Sequence, residues 1–382
     1  MIRKIFENKR EIHRINVAHT IRSVALSFIS IYVPVYLLTL GYSLSQIILF
    51  YAVFHLSGLV FTFLIINPLI QKWGILRTFK VYYPLEIAFY FLLYSLSLFD
   101  VSVWLVSVVG GMATFFYWVP LNILLIKHTK YDKMGSDLGS FFALPKIFKI
   151  VGPVVSAIVI PIFGFWPMFV LAGLGLILSY APLAQIKRSS IRVSLQFKDA
   201  WKKIKKRKTL FVLEGFDNIL EESEWFWGIY VYLMIGSLAT PGIVGSLEAL
   251  GGAIFTLWIG KYANKNSMKM VVFGSLGMMV ISAFRIFVQD PLPTYALSVI
   301  ASFVMTLFLI SYFSVIYKAV KKDGDEEEFI ILREIPTVLG RMVVFGSVLL
   351  VVSVPNLLFI LPIVASSVML LILYLRKHRF ES

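Results

Sequence analysis

The chain has 382 residues, 59% hydrophobic and 15% charged, with 33 Phe and no Cys. That balance predicts a polytopic membrane protein rather than a soluble domain, and it excludes a disulfide framework or a thiolate metal site. The formal net charge of +15 is concentrated in loops, which marks membrane topology and not nucleic-acid binding.

The N-terminal stretch MIRKIFENKREIHRIN is basic but has no short apolar core and no small-residue cleavage site, so the first span is expected to be retained. Apolar runs of spanning length lie near 15–40, 45–70, 78–99, 101–126, 138–163, 165–186, 211–236, 243–261, 269–289, 293–317, 328–353 and 355–375, about twelve helices by the length rule. Lys and Arg crowd alternate connections: Arg3 to Arg14, Lys72 to Lys80, Lys127 to Lys133, Lys187 to Lys208, Lys261 to Lys269, Lys318 to Lys322 and Arg376 to Arg379. The intervening turns near 41–45, 100, 164, 237–242, 290 and 354 contain neither. The positive-inside rule then predicts an integral protein of the cytoplasmic membrane with both termini in the cytoplasm and an even number of spans.

The connection 187–208 carries ten basic residues and Asp199, with an amphipathic pattern of Val193, Leu195, Phe197, Trp201 and Ile204. A helix on the anionic inner leaflet and a solvated basic linker both account for it. Either way it divides the chain into 1–186 and 209–382, six spans each.

The next apolar segment, Phe211 to Gly236, holds Glu214, Asp217, Glu221 and Glu224 at intervals of three, four and three residues, which places all four on one helical face. Glu222 falls off that face. If the span began only at Trp225, 36 residues would remain to Gly260 for two spans and a turn, so the acids are expected to enter the bilayer. An ionisable group there costs about 2.5–3.5 kcal/mol on insertion scales, so the stripe should line a cavity or meet basic partners.

Laying 15–41 over 210–236 puts Gly41 on Gly236, His19 on Glu214 and Arg22 on Asp217. After the second span come Asn67, Gln71, Lys72, Gly74 and Arg77; after the eighth, Gly260, Asn264, Lys265, Ser267 and Lys269 occupy the matching places. These positions resemble the signature of the major facilitator superfamily, Gly-x-x-x-Asp-Arg/Lys-x-Gly-x-x-Arg/Lys, although the acidic position is an amide in both copies, Gln71 and Asn264. Gly152-Pro153-x-x-Ser156 is similar to a fragment of the antiporter motif of drug exporters in that superfamily. Close packing of small residues with a bend at Pro153 explains it too.

The resemblance implies an all-α bundle of twelve helices in two pseudo-symmetric six-helix halves, with conformational-gate residues Asn67, Gln71, Lys72, Gly74, Arg77, Gly260, Asn264, Lys265 and Lys269. Such a bundle exposes a midplane site to each side in turn. In that superfamily spans 1, 4, 7 and 10, helped by 2, 5, 8 and 11, line the cavity. The implied solute and proton site is therefore Asp217, Glu221, Glu214 and Glu224 facing Arg22, His19, Lys149 and Arg341, with Lys146, Arg333 and Glu248 nearby. Four carboxylates on one face cannot all stay ionised without partners, and a basic group approaching from the other half, Arg22 foremost, would expel a bound proton. Permanent buried pairs that only join helices are the structural alternative.

Glu86, Arg285 and Glu334 lie near span ends, where snorkelling is expected. His55 and His128 are isolated. Trp225, Phe226, Trp227, Tyr230 and Tyr232 serve either an organic cation or core packing. No two His have helical metal-ligand spacing and no nucleotide-binding loop is present, so neither metal nor cofactor nor ATP is expected. The reading is a monomeric, non-enzymatic secondary transporter of a small solute, cationic or zwitterionic, proton-coupled and exporting. A membrane enzyme or lipid-handling protein competes with it, and a channel or receptor fits the repeat less well.

Overall fold

In the computed structural model, residues 2–186, 193, 195 and 197–375 are described. Of the basic runs, Lys187 to Arg192 and Arg376 to Arg379 lie outside the described residues. Within these residues the fold is helical throughout, with no strand.

The first helix, α1 (Ile2–Ser27), bends through a 3₁₀ turn into α2 (Val33–Thr39), whose Pro34 occupies the first turn, where no backbone donor is needed. Helix α3 (Leu44–Phe61) starts on a capping box made by Ser43 and Gln46 and passes through a π-helical turn into α4 (Asn67–Trp73). Gly74, at φ +80°, ends α4 in a conformation that side-chain-bearing residues avoid. Then come α5 (Ile75–Lys80), α6 (Tyr82–Ser95), α7 (Val103–His128), α8 (Met134–Lys149), α9 (Val151–Phe163) and α10 (Trp166–Ala184).

Beyond the connector lie α11 (Phe197–Lys206), α12 (Lys208–Ile235), α13 (Thr240–Phe287), α14 (Pro291–Asp323), α15 (Glu326–Leu332), α16 (Glu334–Leu350) and α17 (Ile360–Leu375). Helix α13 breaks at Asn266 (φ −123°, ψ 26°), between the runs 243–261 and 269–289. Helix α12 is continuous for 28 residues, so its acids lie inside a span-length helix and not in a separate segment ending before Trp225.

Among the described residues, eight helical stretches are long and apolar enough to cross a membrane. Helix α12 falls outside that set because charges interrupt its apolar surface. Glu214, Asp217 and Glu222 are buried against neighbouring helices, Glu214 1% exposed and Asp217 2%, whereas Glu221 is exposed.

Small residues set the helix spacing. A Cβ on Gly135 of α8 would lie 2.7 Å from the Gly260 carbonyl oxygen of α13, and one on Gly260 would lie 2.9 Å from the Gly139 Cα. The two backbones therefore touch, as small-residue seams between membrane helices allow. Gly152 packs in the same way against Ser27 and Ser156 Oγ donates to the Phe28 carbonyl at 2.6 Å, while Gly242 of α13 meets Pro153. The Gly152-Pro153-x-x-Ser156 stretch thus joins α9 to both α1 and α13.

At the end of the bundle that carries the basic loops, the helices before and after the connector are tied by polar contacts. Lys127 Nζ of α7 lies 3.4 Å from Glu326 Oε2 and 2.6 Å from Glu327 Oε1 of α15. Lys321 Nζ donates to the Thr129 carbonyl at 2.5 Å. The connector joins the same cluster through Arg207, 3.0 Å from Asp323 and 3.4 Å from Asp325, and through Lys203, paired with Glu328.

Candidate functional site

Helix α12 presents Glu214, Asp217 and Glu221 to a cavity of about 210 Å³. A second cavity of about 570 Å³ is bordered by His19, Arg22, Glu86, Lys149 and Glu222. Thr114, Trp118, Phe142, Lys146, Glu221 and Arg341 border both, so the two are compartments of one polar interior between α7, α8, α12 and α16.

Most charges in this interior are paired. Glu214 Oε2 lies 3.6 Å from Arg333 Nη1, and Arg333 Nε lies 4.0 Å from Glu334. Arg341 of α16 reaches Glu221 at 3.3 Å and Glu222 at 3.2 Å, and its Nη1 donates to His55 Nδ1 of α3 at 3.0 Å. A guanidinium has no acceptor, so that imidazole nitrogen offers a lone pair. One arginine thus links α12, α16 and α3. Asn218 Nδ2 donates to Thr337 Oγ1 at 3.2 Å and ties α12 to α16 a second time.

Arg22 and His19 do not meet the acidic stripe. Arg22 Nη2 lies 3.5 Å from Glu86 Oε1, its Nε donates to Tyr82 Oη, and its guanidinium sits 3.7 Å above the Tyr117 ring. The cation thus has both a carboxylate and a π face. His19 shares a 2.5 Å hydrogen bond with Tyr117 Oη and stacks on Phe141 at 4.7 Å. Arg22 and Asp217 border different compartments. Lys149 is exposed on the second compartment.

Glu224 borders neither compartment; Arg285 grips both its carboxylate oxygens and lies 4.3 Å above the Trp227 ring. The snorkelling expected of Glu86, Arg285 and Glu334 is not what these residues do, for they are 3%, 0% and 5% exposed. Each is held inward by an opposite charge too near to exchange for headgroups. Glu224→Ala should therefore destabilise the protein by about 3–5 kcal/mol, since it strands a buried cation, and adding Arg285→Met should recover most of the loss. Thermal unfolding in detergent measures both, and an unchanged transition for Glu224→Ala would refute the assignment.

Asp217 differs from its neighbours. It forms no ion pair or hydrogen bond among the described residues, and its Oδ1 is buried without a partner. A buried carboxylate left unsatisfied in this way is costly.

The amides in the gate motif have definite tasks. Gln71 Nε2 and Asn67 Nδ2 donate to the connector's Leu195 carbonyl at 3.1 and 3.4 Å. Asn264 Oδ1 instead accepts the Ser136 N–H at 3.0 Å, in the first turn of α8. Lys72, Arg77, Lys265 and Lys269 are exposed. Restoring an acid should thus have opposite effects in the two copies. Asn264→Asp adds charge at a helix N-terminus and should stabilise by about 0.3–1 kcal/mol. Gln71→Glu loses its donor and should destabilise by about 0.5–1.5 kcal/mol. Unfolding midpoints that shift in the same direction would contradict this.

Sequence reasoning missed Glu222, the His55 to Arg341 contact and the acidic run Asp325 to Glu328. The run was detectable as a block of acid in a loop end otherwise basic. Glu222 was not, because its partner comes from a helix more than a hundred residues later in the sequence.

No family model matches the chain, and no curated protein matches it in sequence. Solved structures do match. FucP, described as the E. coli fucose:proton symporter, superposes in its outward conformation with TM-score 0.71 at 12% identity, over 97% of this chain and 98% of that one. A bacterial homologue of the iron transporter ferroportin in an outward-facing state gives 0.71 at 13% identity, over 97% and 99%. The nucleoside transporter NupG gives 0.67 at 12%, over 98% and 99%. The likeness is one of fold: the all-α membrane fold of this chain matches, end to end, that of solved transporters, FucP among them being described as a Major Facilitator Superfamily transporter.

Proposed function

We propose that the chain is a secondary active transporter that moves a small cationic or zwitterionic solute by alternating access, coupled to protons. Its halves are 1–186 and 209–382, six spans each, joined by the connector 187–208, with the basic loops and both termini in the cytoplasm. It acts as a monomer in the cytoplasmic membrane. The full-length likeness to transporters of this fold supports the architecture, and the Gly152-Pro153 motif supports export.

Asp217 carries the reading. The other acids of α12 each have a guanidinium within reach, whereas Asp217 is buried, borders the cavity and is unpaired. Such a group is stabilised by whatever positive charge arrives, a proton or the cationic end of a solute. Arg341, bonded to α12 and α3 at once, is placed to sense relative motion of the halves, and a change in its pairing between two states would couple proton to solute.

Purified protein in vesicles tests this. Solute counterflow and accumulation driven by a pH gradient, read from both sides to give direction, are the expected results. Chemical conversion of the solute without translocation would replace the transporter with an enzyme.

A further inference from the structure

Seven charged side chains border the smaller cavity: Lys146, Glu214, Asp217, Glu221, Arg333, Glu334 and Arg341. Glu214 and Glu334 share Arg333, and Glu221 is held by Arg341. Two remain without an opposite partner among the described residues, and they bear opposite signs. Asp217 stands on α12, and Lys146 stands on α8 across the cavity wall.

Lys146 does not point away from this space. Its Nζ donates to Thr306 Oγ1 of α14 at 2.5 Å, and a Cβ on Gly252 of α13 would come within 3.2 Å of it. The ammonium is therefore lodged at the seam of α13 and α14, with a neutral hydroxyl as its bonding partner. A cation at this depth without a carboxylate is costly unless a ligand supplies the negative charge. Phe115, Trp118, Phe142 and Phe313 line the same space and give it an aromatic wall.

We propose that the solute is a zwitterion, its ammonium bound by Asp217 and its carboxylate by Lys146, with an apolar body against the aromatic wall. A simple amine satisfies one of these charges and an acid the other, whereas a zwitterion satisfies both and leaves neither buried alone. This rests on the transporter reading above. It assigns Lys146, on the opposite half from Asp217, as the residue that selects zwitterion over amine, and it makes a bound solute a bridge between the halves.

The probes are two matched sets: phenylalanine, phenethylamine and 3-phenylpropionate; and 6-aminohexanoate, hexylamine and hexanoate. Thermal shift of the purified protein gives affinity, and counterflow in vesicles gives movement. At least one zwitterion should bind more tightly than both its amine and its acid. Lys146→Gln should lower the zwitterion-to-amine affinity ratio by about tenfold or more, the loss of one charge-assisted hydrogen bond. Asp217→Asn should weaken the amine as well as the zwitterion. Equal binding of amine and zwitterion, no binding of either zwitterion, or a ratio untouched by Lys146→Gln overturns the proposal. If the amines alone show counterflow, the zwitterion assignment falls and the transporter stands; if a probe binds by thermal shift but none of the six shows counterflow, the transporter reading falls with it.

Discussion

Asp217→Asn is expected to abolish accumulation driven by a pH gradient while leaving the protein folded and, at solute concentrations raised to offset its weakened binding, still able to exchange solute. The amide has the volume of the carboxylate but no charge, so it imitates the protonated acid permanently. Because Asp217 has no ion pair to lose, the substitution strands no cation, and the unfolding temperature should hold or rise. The coupling loss is large. One proton moved down a gradient of one pH unit supplies about 1.4 kcal/mol, enough for an accumulation ratio of about 10, and without the proton site that ratio should approach unity. Glu221→Gln offers the comparison. Its carboxylate is already held by Arg341, so its loss should change the affinity of the interior for solute less than it disturbs the link between α12 and α16. If Asp217→Asn accumulates solute with an unchanged pH profile, Asp217 is structural and the coupling mechanism is wrong.

The acidic stripe was legible because a three, four, three spacing on a span-length helix has only one geometric meaning. Its destinations were not. Glu214, Glu221 and Glu224 meet Arg333, Arg341 and Arg285, all distant in sequence. Nothing in the local sequence of α12 distinguishes Asp217 from these neighbours; only the placement of three arginines does. Glu222 shows the limit of face-based reasoning. A helix packed against neighbours on several sides has more than one contact face, and adjacent residues about 100° apart can be reached by one long guanidinium. Arg22 was expected opposite the stripe because of a sequence overlay, but a closer carboxylate, Glu86, and the Tyr117 ring hold it first. The connections were read from Lys and Arg alone, so the acids that answer them at 325–328 went unnoticed.

Those acids lead to the second large effect. A cross-link between Lys127→Cys and Glu327→Cys is expected to stop net transport, and reduction of the link should restore it. The alternating access proposed for this chain requires the basic end to open, and in this structure that end is joined by Lys127 on α15, Lys321 on Thr129, and the backbone contact of Gly135 with Gly260. Lys127 and Glu327 are partly exposed, with side chains 31% and 19% accessible, so such a pair contributes about 1 kcal/mol or less and salt weakens it. A latch this weak can open in each cycle; a covalent tie in the same place cannot. The chain contains no other Cys, so a short bis-methanethiosulfonate reagent has one pair of targets. Glu326→Gln with Glu327→Gln should act in the opposite sense and favour the open basic end, read as faster labelling of Asn122→Cys by an impermeant maleimide. Asn122 suits this readout because Tyr317 of α14 covers it at 3.5 Å in this structure. If the cross-linked protein turns over as fast as the reduced one, the basic end does not have to open along this seam, and the contacts between α7 and α15 are packing.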